Sequence, residues 1–188
     1  MSSTLPAHYM ITGKFAGHAD FQGKLERALQ SGPKVVQLRC KGMGDTEYLE
    51  LARLAETIRH RFEAPLFLAT TVELFAETGA DGLHLSSDRL GGLSERPIAA
   101  DKLLSVSCHT EADLELADRL GADILLLSPV KPTASHPDLP GLGWERFREM
   151  TEGLDQPVYG LGGMQPEDVD DAQAAGARGI AATAGYWS

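Results

Sequence analysis

The chain has 188 residues, 43% of them hydrophobic and 23% charged, which fits one globular domain spanning residues 1–188 and excludes a disordered chain. Seventeen Lys and Arg stand against 27 Asp and Glu, and the net charge of -10 argues against a nucleic-acid partner, whose phosphates would be repelled. No apolar run approaches the ~20 residues a bilayer needs, and Met1–Tyr9 lacks the basic and apolar regions of a secretory signal. Two cysteines, Cys40 and Cys108, fit a reducing, cytoplasmic compartment and no disulfide scaffold.

The chain alternates strand and helix signals. A first β-rich run, His8–Gly13, is followed by a second at Lys34–Leu38. Tyr48–Phe62 then carries Leu51, Leu54, Ala55 and Ile58 on one helical stripe. The third run, Pro65–Ala69, leads into Thr70-Thr71-Val72-Glu73, which reads as a capping box with Thr70 as the cap. Gly79-Ala80-Asp81 precedes the fourth run, Gly82–Leu85, and Lys102–Ser107 is the fifth. Thr110 and Asp113 form a second, weaker capping signal, with Ala112, Leu116 and Leu120 recurring at helical spacing behind it. Gly121-Ala122-Asp123 opens the sixth run, Asp123–Ser128, and Pro157–Leu161 is the seventh. Pro166 suits the first position of a helix, and Gly176-Ala177-Arg178 leads into the eighth run, Gly179–Ala182.

These apolar runs are continuous rather than alternating, as in parallel strands covered on both faces. The three near-identical junctions each place a Gly where a helix ends and a strand begins, with the left-handed conformation expected at that Gly. Eight βα units predict an α/β fold of the (β/α)8 TIM-barrel type, short and lacking the eighth helix, with either Tyr186 and Trp187 or a partner subunit covering the gap. A doubly wound open sheet fits less well, because Gly13-Lys14-Phe15-Ala16-Gly17 is a poor phosphate loop.

In such a barrel the reactive groups follow the strands. Gln37, Arg39 and Lys41 follow the second; His84, Asp88 and Arg89 the fourth; Ser107 and His109 the fifth. The sixth opens into Pro129–Gly143 with Lys131, Thr133, Ser135 and His136, and the seventh ends in Gly162-Gly163. Basic residues and histidines thus gather at one rim of an acidic protein, which favours an anionic small molecule. Two adjacent glycines after the seventh strand suit a phosphate held by backbone N–H groups. Cys40 and Cys108 read as inert fillers near strand ends, and His84 as a packed or hydrogen-bonded side chain.

Several motifs occur in order: Gln37-Leu38-Arg39-x-Lys41, Ala80-Asp81-Gly82-Leu83-His84-Leu85, Ser107-x-His109, Pro129-Val130-x-Pro132-Thr133-x-Ser135 and Leu161-Gly162-Gly163-Met164. From about Tyr9 to Ala182 the chain resembles the thiamine phosphate synthase family, including its TenI-like thiazole tautomerase branch. The Pro129–Ser135 stretch and the closing Gly-Tyr-Trp look most like synthase-like domains fused to Nudix hydrolases.

The resemblance implies a protein of thiamine biosynthesis that takes a thiazole phosphate and a pyrimidine pyrophosphate, often as a homo-oligomer. It implies that Gln37, Arg39 and Lys41 bind the pyrimidine and pyrophosphate, with Ser107 and Thr133 adding contacts and Gly162 and Gly163 holding the thiazole phosphate. Lys131, Ser135 and His136 belong to the same rim. The synthase reaction needs Mg2+ and carboxylates to hold it. Here the family's Asn-Asp pair falls on Ala69-Thr70 and its metal-binding Asp on Arg89, leaving Asp88 as one carboxylate within reach. Arg89 would then meet a phosphate directly. The tautomerase branch implies His109 as an acid/base in a reaction that needs no metal or other cofactor. A third reading is a non-catalytic binder of the same phosphates.

Overall fold

A computed structural model describes residues 5–32, 34–133 and 140–187. Eight strands, β1 (His8–Ile11), β2 (Val35–Leu38), β3 (Leu66–Leu68), β4 (Gly82–Leu85), β5 (Leu103–Cys108), β6 (Ile124–Leu127), β7 (Val158–Leu161) and β8 (Gly179–Ala182), pair in parallel and in sequence order into a closed barrel. Between them lie α1 (His18–Gln30), α2 (Asp45–His60), α3 (Val72–Ala76), α4 (Ser87–Leu90), α5 (Glu111–Arg119), α6 (Gly143–Thr151) and α7 (Val169–Ala174), the last preceded by a 3-10 turn at Pro166–Asp168. No helix among the described residues is long and apolar enough to cross a membrane.

Each expected run coincides with an observed strand, β5 reaching one residue further to Cys108, and most strand residues are buried because side chains point alternately into the barrel and toward the helices. Tyr9, Val35, Phe67, Ile124, Leu126, Tyr159 and Ala181 fill the interior. Met10, Val36, Leu83, Leu104, Leu125 and Ile180 face outward against Phe21, Leu25, Leu51, Ile58 and Phe147 of the helices. Gly82 is required inside: a Cβ there would come within 2.3 Å of the Phe67 ring.

Local signals succeed and fail for visible reasons. Thr110 and Asp113 form the expected capping box at α5, and Pro166 opens the 3-10 turn. Helix α2 begins at Asp45 rather than Tyr48, with Gly44 as its cap and Asp45 and Glu47 in the positive first turn. The cap of α3 is Thr71, not Thr70: Thr71 Oγ1 accepts from Leu74 N–H at 3.3 Å. Ala69 N–H still bonds to Leu38 O at 2.9 Å, so the sheet holds the chain until Thr70 and the helix starts one residue late. Gly121 and Gly176 take positive φ, 67° and 90°, whereas Gly79 does not. There the short α3 ends at Ala76, three residues before the glycine, and Gly79 N–H is taken by the Glu56 carboxylate at 2.8 Å.

Two of the repeated junctions share a purpose at the N-terminal end of the barrel. Asp81 accepts Leu66 N–H at 2.8 Å and pairs with Arg59, while Asp123 accepts Leu104 N–H at 2.7 Å and pairs with Arg96. Each carboxylate thus satisfies an N–H at the start of a neighbouring strand, a stabilising task at the end away from the mouth. Beyond β8 the described residues form a turn, not a helix. Tyr186 and Trp187 fold back along β1 and α1: Tyr186 Oη lies 2.6 Å from His8 Nδ1, and Trp187 Nε1 donates to Lys14 O at 2.9 Å beside the Phe21 ring.

Candidate functional site

Two adjoining cavities occupy the C-terminal mouth. The first, of about 400 Å3, is bounded by Gln37, Arg39, His109, Thr133, Gly162 and Gly163 together with Ile11, Ser128, Leu161 and Thr183. The second, of about 690 Å3, lies over β1 and β2 and is lined by Thr12, Lys14, Phe15, Arg39, Cys40 and Lys41. Arg39 and Thr183 border both, so the two form one divided mouth. Volumes of this size suit small-molecule ligands.

The sheet register decides which side chains reach it. Val35, Gln37 and Arg39 alternate along one face of β2, and Ser105, Ser107 and His109 along β5, each series climbing from the interior to the rim. Thr12 ties the first two strand ends together, its Oγ1 accepting Arg39 N–H at 2.9 Å. His109 sits just past β5, its Nδ1 2.9 Å from Ser128 O and 3.1 Å from Ser128 Oγ across the top of β6. A carbonyl oxygen only accepts, so Nδ1 carries a proton and Nε2 is the nitrogen left for acid/base work.

The loop after β6 continues the sheet. Val130 N–H bonds to Leu161 O at 2.8 Å and Lys131 N–H to Gly162 O at 3.1 Å, laying this loop against the Gly162-Gly163 turn. Both glycines have positive φ, 92° and 67°. A Cβ at Gly162 would lie 2.8 Å from Pro129 Cα, and one at Gly163 2.7 Å from Pro132 O. Among the described residues the N–H groups of Gly163 and Ala184, both on the cavity wall, meet no acceptor in the protein. Backbone donors left over on adjacent strand ends suit an anion.

Other expected residues lie apart from this cavity. Lys131 Nζ is 2.7 Å from Asp168 Oδ1, which binds the β6 loop to the turn after β7. Arg89, on α4, donates to Thr70 O and lines neither cavity. Asp88 beside it is exposed. Ser107 lies one layer below His109 and is 2.9 Å from His84 Nε2. Burial, with Arg39 nearby, pushes the His84 pKa down to about 3, so its ring is neutral. Burial pushes the thiol of Cys40 up to about 11 and that of Cys108 up to about 12, so both remain protonated and unreactive. Ser135 and His136 lie outside the described residues. Among the described residues no three His, Cys, Asp or Glu side chains gather as a metal-binding group.

Thr12 and Ser128 are site residues that sequence reasoning passed over. Ser128 could have been found from its place at the end of β6, but Thr12 acts through a cross-strand bond that only the register reveals.

The comparisons with known proteins agree with this geometry. The thiamine monophosphate synthase family profile matches residues 8–185. The chain is 31% identical over 187 residues to the thiamine-phosphate synthase of Bacillus mycoides, covering 96% of this chain and 84% of that one. It is 32% identical over 179 residues to the thiamine-phosphate synthase of Bacillus cereus, covering 92% and 81%. The solved thiamine phosphate pyrophosphorylase of Pyrococcus furiosus superposes with a TM-score of 0.77 at 23% identity, over 93% of this chain and 84% of that one, and so shares the fold. With the profile spanning nearly all of the barrel, this chain belongs to the thiamine monophosphate synthase family, whose work is in thiamine biosynthesis.

Proposed function

We propose that this protein binds a thiazole phosphate in the first cavity and isomerises an unaromatised thiazole carboxylate phosphate, with His109 as the acid/base and no metal. The observation that carries this reading is the shared wall: His109 and the Gly162-Gly163 turn border one cavity of about 400 Å3. The phosphate would rest on the N–H groups of Gly163 and Ala184, and the ring against Ile11 and Leu161. His109 Nδ1 is fixed by Ser128 O, so Nε2 is the nitrogen that accepts a proton from ring carbon. The same Nε2–H then returns a proton to the other end of the conjugated system. The proton count is unchanged, and the ring becomes aromatic.

A second reading is transfer of a pyrimidine from its pyrophosphate to the thiazole. Arg39 and Lys41 on the larger cavity favour it, because they suit a pyrophosphate. Synthases of the family use Mg2+, and the described residues do not fit that ion. Asp88, the carboxylate expected to reach it, is exposed beside Arg89, and no metal-binding group gathers among the described residues.

The two readings separate on products. Incubated with thiazole phosphate, the pyrimidine pyrophosphate and Mg2+, the protein should gain thermal stability from thiazole phosphate yet form no thiamine phosphate above the uncatalysed background. Thiamine phosphate at an enzyme-like rate would overturn the isomerase reading in favour of the transferase. Failure of thiazole phosphate to raise Tm would overturn both.

A further inference from the structure

A turn stands where an eighth helix would lie on this barrel, and its contacts reach both halves of the mouth. Thr183 O accepts Trp187 N–H at 3.0 Å and Tyr186 N–H at 3.3 Å, closing the chain behind β8. Gly185 takes a φ of 79°, and a Cβ there would overlap the Pro166 ring, so the turn lies close against the segment after β7. Tyr186 is buried, its hydroxyl 2.6 Å from His8 Nδ1 and its ring centroid 5.5 Å from the Lys34 ammonium. Those contacts fasten the turn to the starts of β1 and β2.

Trp187 then reaches across to the loop after β1. Its Nε1–H donates to Lys14 O at 2.9 Å, and Lys24 Nζ of α1 donates to the same carbonyl at 3.1 Å. The indole packs on Phe21 with ring centroids 5.4 Å apart, and Phe21 packs on Phe15 at 5.2 Å. Gly13 leaves the space this needs: a Cβ there would lie 2.7 Å from Trp187 Cδ1 and 2.8 Å from Thr183 Cγ2. Gly13, Lys14 and Phe15 line the larger cavity, Ala184 lines the smaller and Thr183 lines both, whereas Trp187 lines neither.

We propose that Trp187 is a positioning residue that clamps the loop after β1 to the end of β8 and so fixes the wall between the two cavities. It touches no ligand and acts through Lys14, Thr183 and Ala184. His109 follows β5, which stands opposite β1 in the barrel order. The clamp therefore governs how tightly the mouth holds its ligand and leaves the rate of proton transfer to His109. The positioning role rests on the reading that a thiazole phosphate occupies the first cavity, whereas the clamp itself is independent of ligand and reaction.

Two readouts test it. Amide hydrogen exchange reads the clamp without ligand: Trp187→Ala should speed exchange at Thr12 and Ala16, whose N–H groups bond to Gln37 O and Asp20 Oδ2, roughly tenfold, and leave β5 and β6 unchanged. Steady-state rates on the unaromatised thiazole carboxylate phosphate read the positioning. Trp187→Ala should raise KM roughly tenfold with kcat within about threefold of wild type, the pattern of binding lost equally from substrate and transition state. A general loss of fold would instead lower kcat with the folded fraction. Trp187→Phe keeps a ring on Phe21 but loses the N–H donor, so its KM should fall between the two. Gly13→Ala invades the same contact from the loop side and should also raise KM, by less once Trp187 is already Ala.

Wild-type exchange in Trp187→Ala would overturn the clamp. Faster exchange with an unchanged KM, or a lower kcat with an unchanged KM, would overturn the positioning role. If Trp187→Ala does not fold, Trp187→Phe and Gly13→Ala decide by the same measurements. A wild type that neither turns over this substrate nor binds thiazole phosphate would overturn the reading of the cavity, and with it the positioning role, while exchange still decides the clamp.

Discussion

His109→Gln is expected to slow isomerisation of the unaromatised thiazole carboxylate phosphate by roughly 10²–10⁴-fold, the range a positioned acid/base contributes. Glutamine can still donate to Ser128 O but has no nitrogen that takes up and returns a proton at neutral pH. The thermal shift given by thiazole phosphate should survive, because the proposed phosphate donors are the backbone N–H groups of Gly163 and Ala184, not His109. Steady-state rates on the purified variant check this, and an unchanged rate would remove His109 from the chemistry. Ser128→Ala is the control. His109 is held by the carbonyl at 2.9 Å as well as the hydroxyl at 3.1 Å, so losing the hydroxyl alone should change the rate by no more than about threefold.

Gly162→Ala should have the largest effect on binding. At φ 92° an L-residue is strained by roughly 1–3 kcal/mol. Its Cβ would also lie 2.8 Å from both Cα and Cβ of Pro129, atoms that cannot swing away like the end of a flexible side chain. The turn must move, and the bonds it makes to the β6 loop, Val130 N–H to Leu161 O and Lys131 N–H to Gly162 O, move with it. The Gly163 donor then leaves its place on the cavity wall. Titration with thiazole phosphate should show affinity at least about tenfold weaker, a loss of about 1.4 kcal/mol. The variant must be shown folded by circular dichroism. Wild-type affinity in a folded Gly162→Ala protein would remove the phosphate from this turn.

Most of the barrel could be read from the sequence, because parallel strands buried on both faces leave continuous apolar runs and the repeated Gly-Ala-Asp junctions punctuate them. Helix starts were less legible. The cap of α3 moved from Thr70 to Thr71 because a sheet bond at Ala69 competes with the helix, and no local pattern reports such a bond.

The rule that function follows the strands located Gln37, Arg39, His109, Thr133, Gly162 and Gly163 on one cavity wall. It could not foresee that Lys131 would be paired to Asp168, 37 residues away, or that Arg89 would turn to Thr70 O. Long cations choose partners in three dimensions, and their position along the chain records only where they start. Tyr9 and Ser105 were hidden for another reason. Inside a strand they read as core, and that their hydroxyls lie 3.3 Å apart emerges only when the strands close around one interior.

Proton transfer at His109 without a metal stands or falls on turnover of the unaromatised thiazole carboxylate phosphate, followed by NMR, in EDTA and in excess Mg2+. Conversion to the aromatic thiazole should run at the same rate in both. No conversion in EDTA, with turnover restored by Mg2+, would show that the reaction needs the ion.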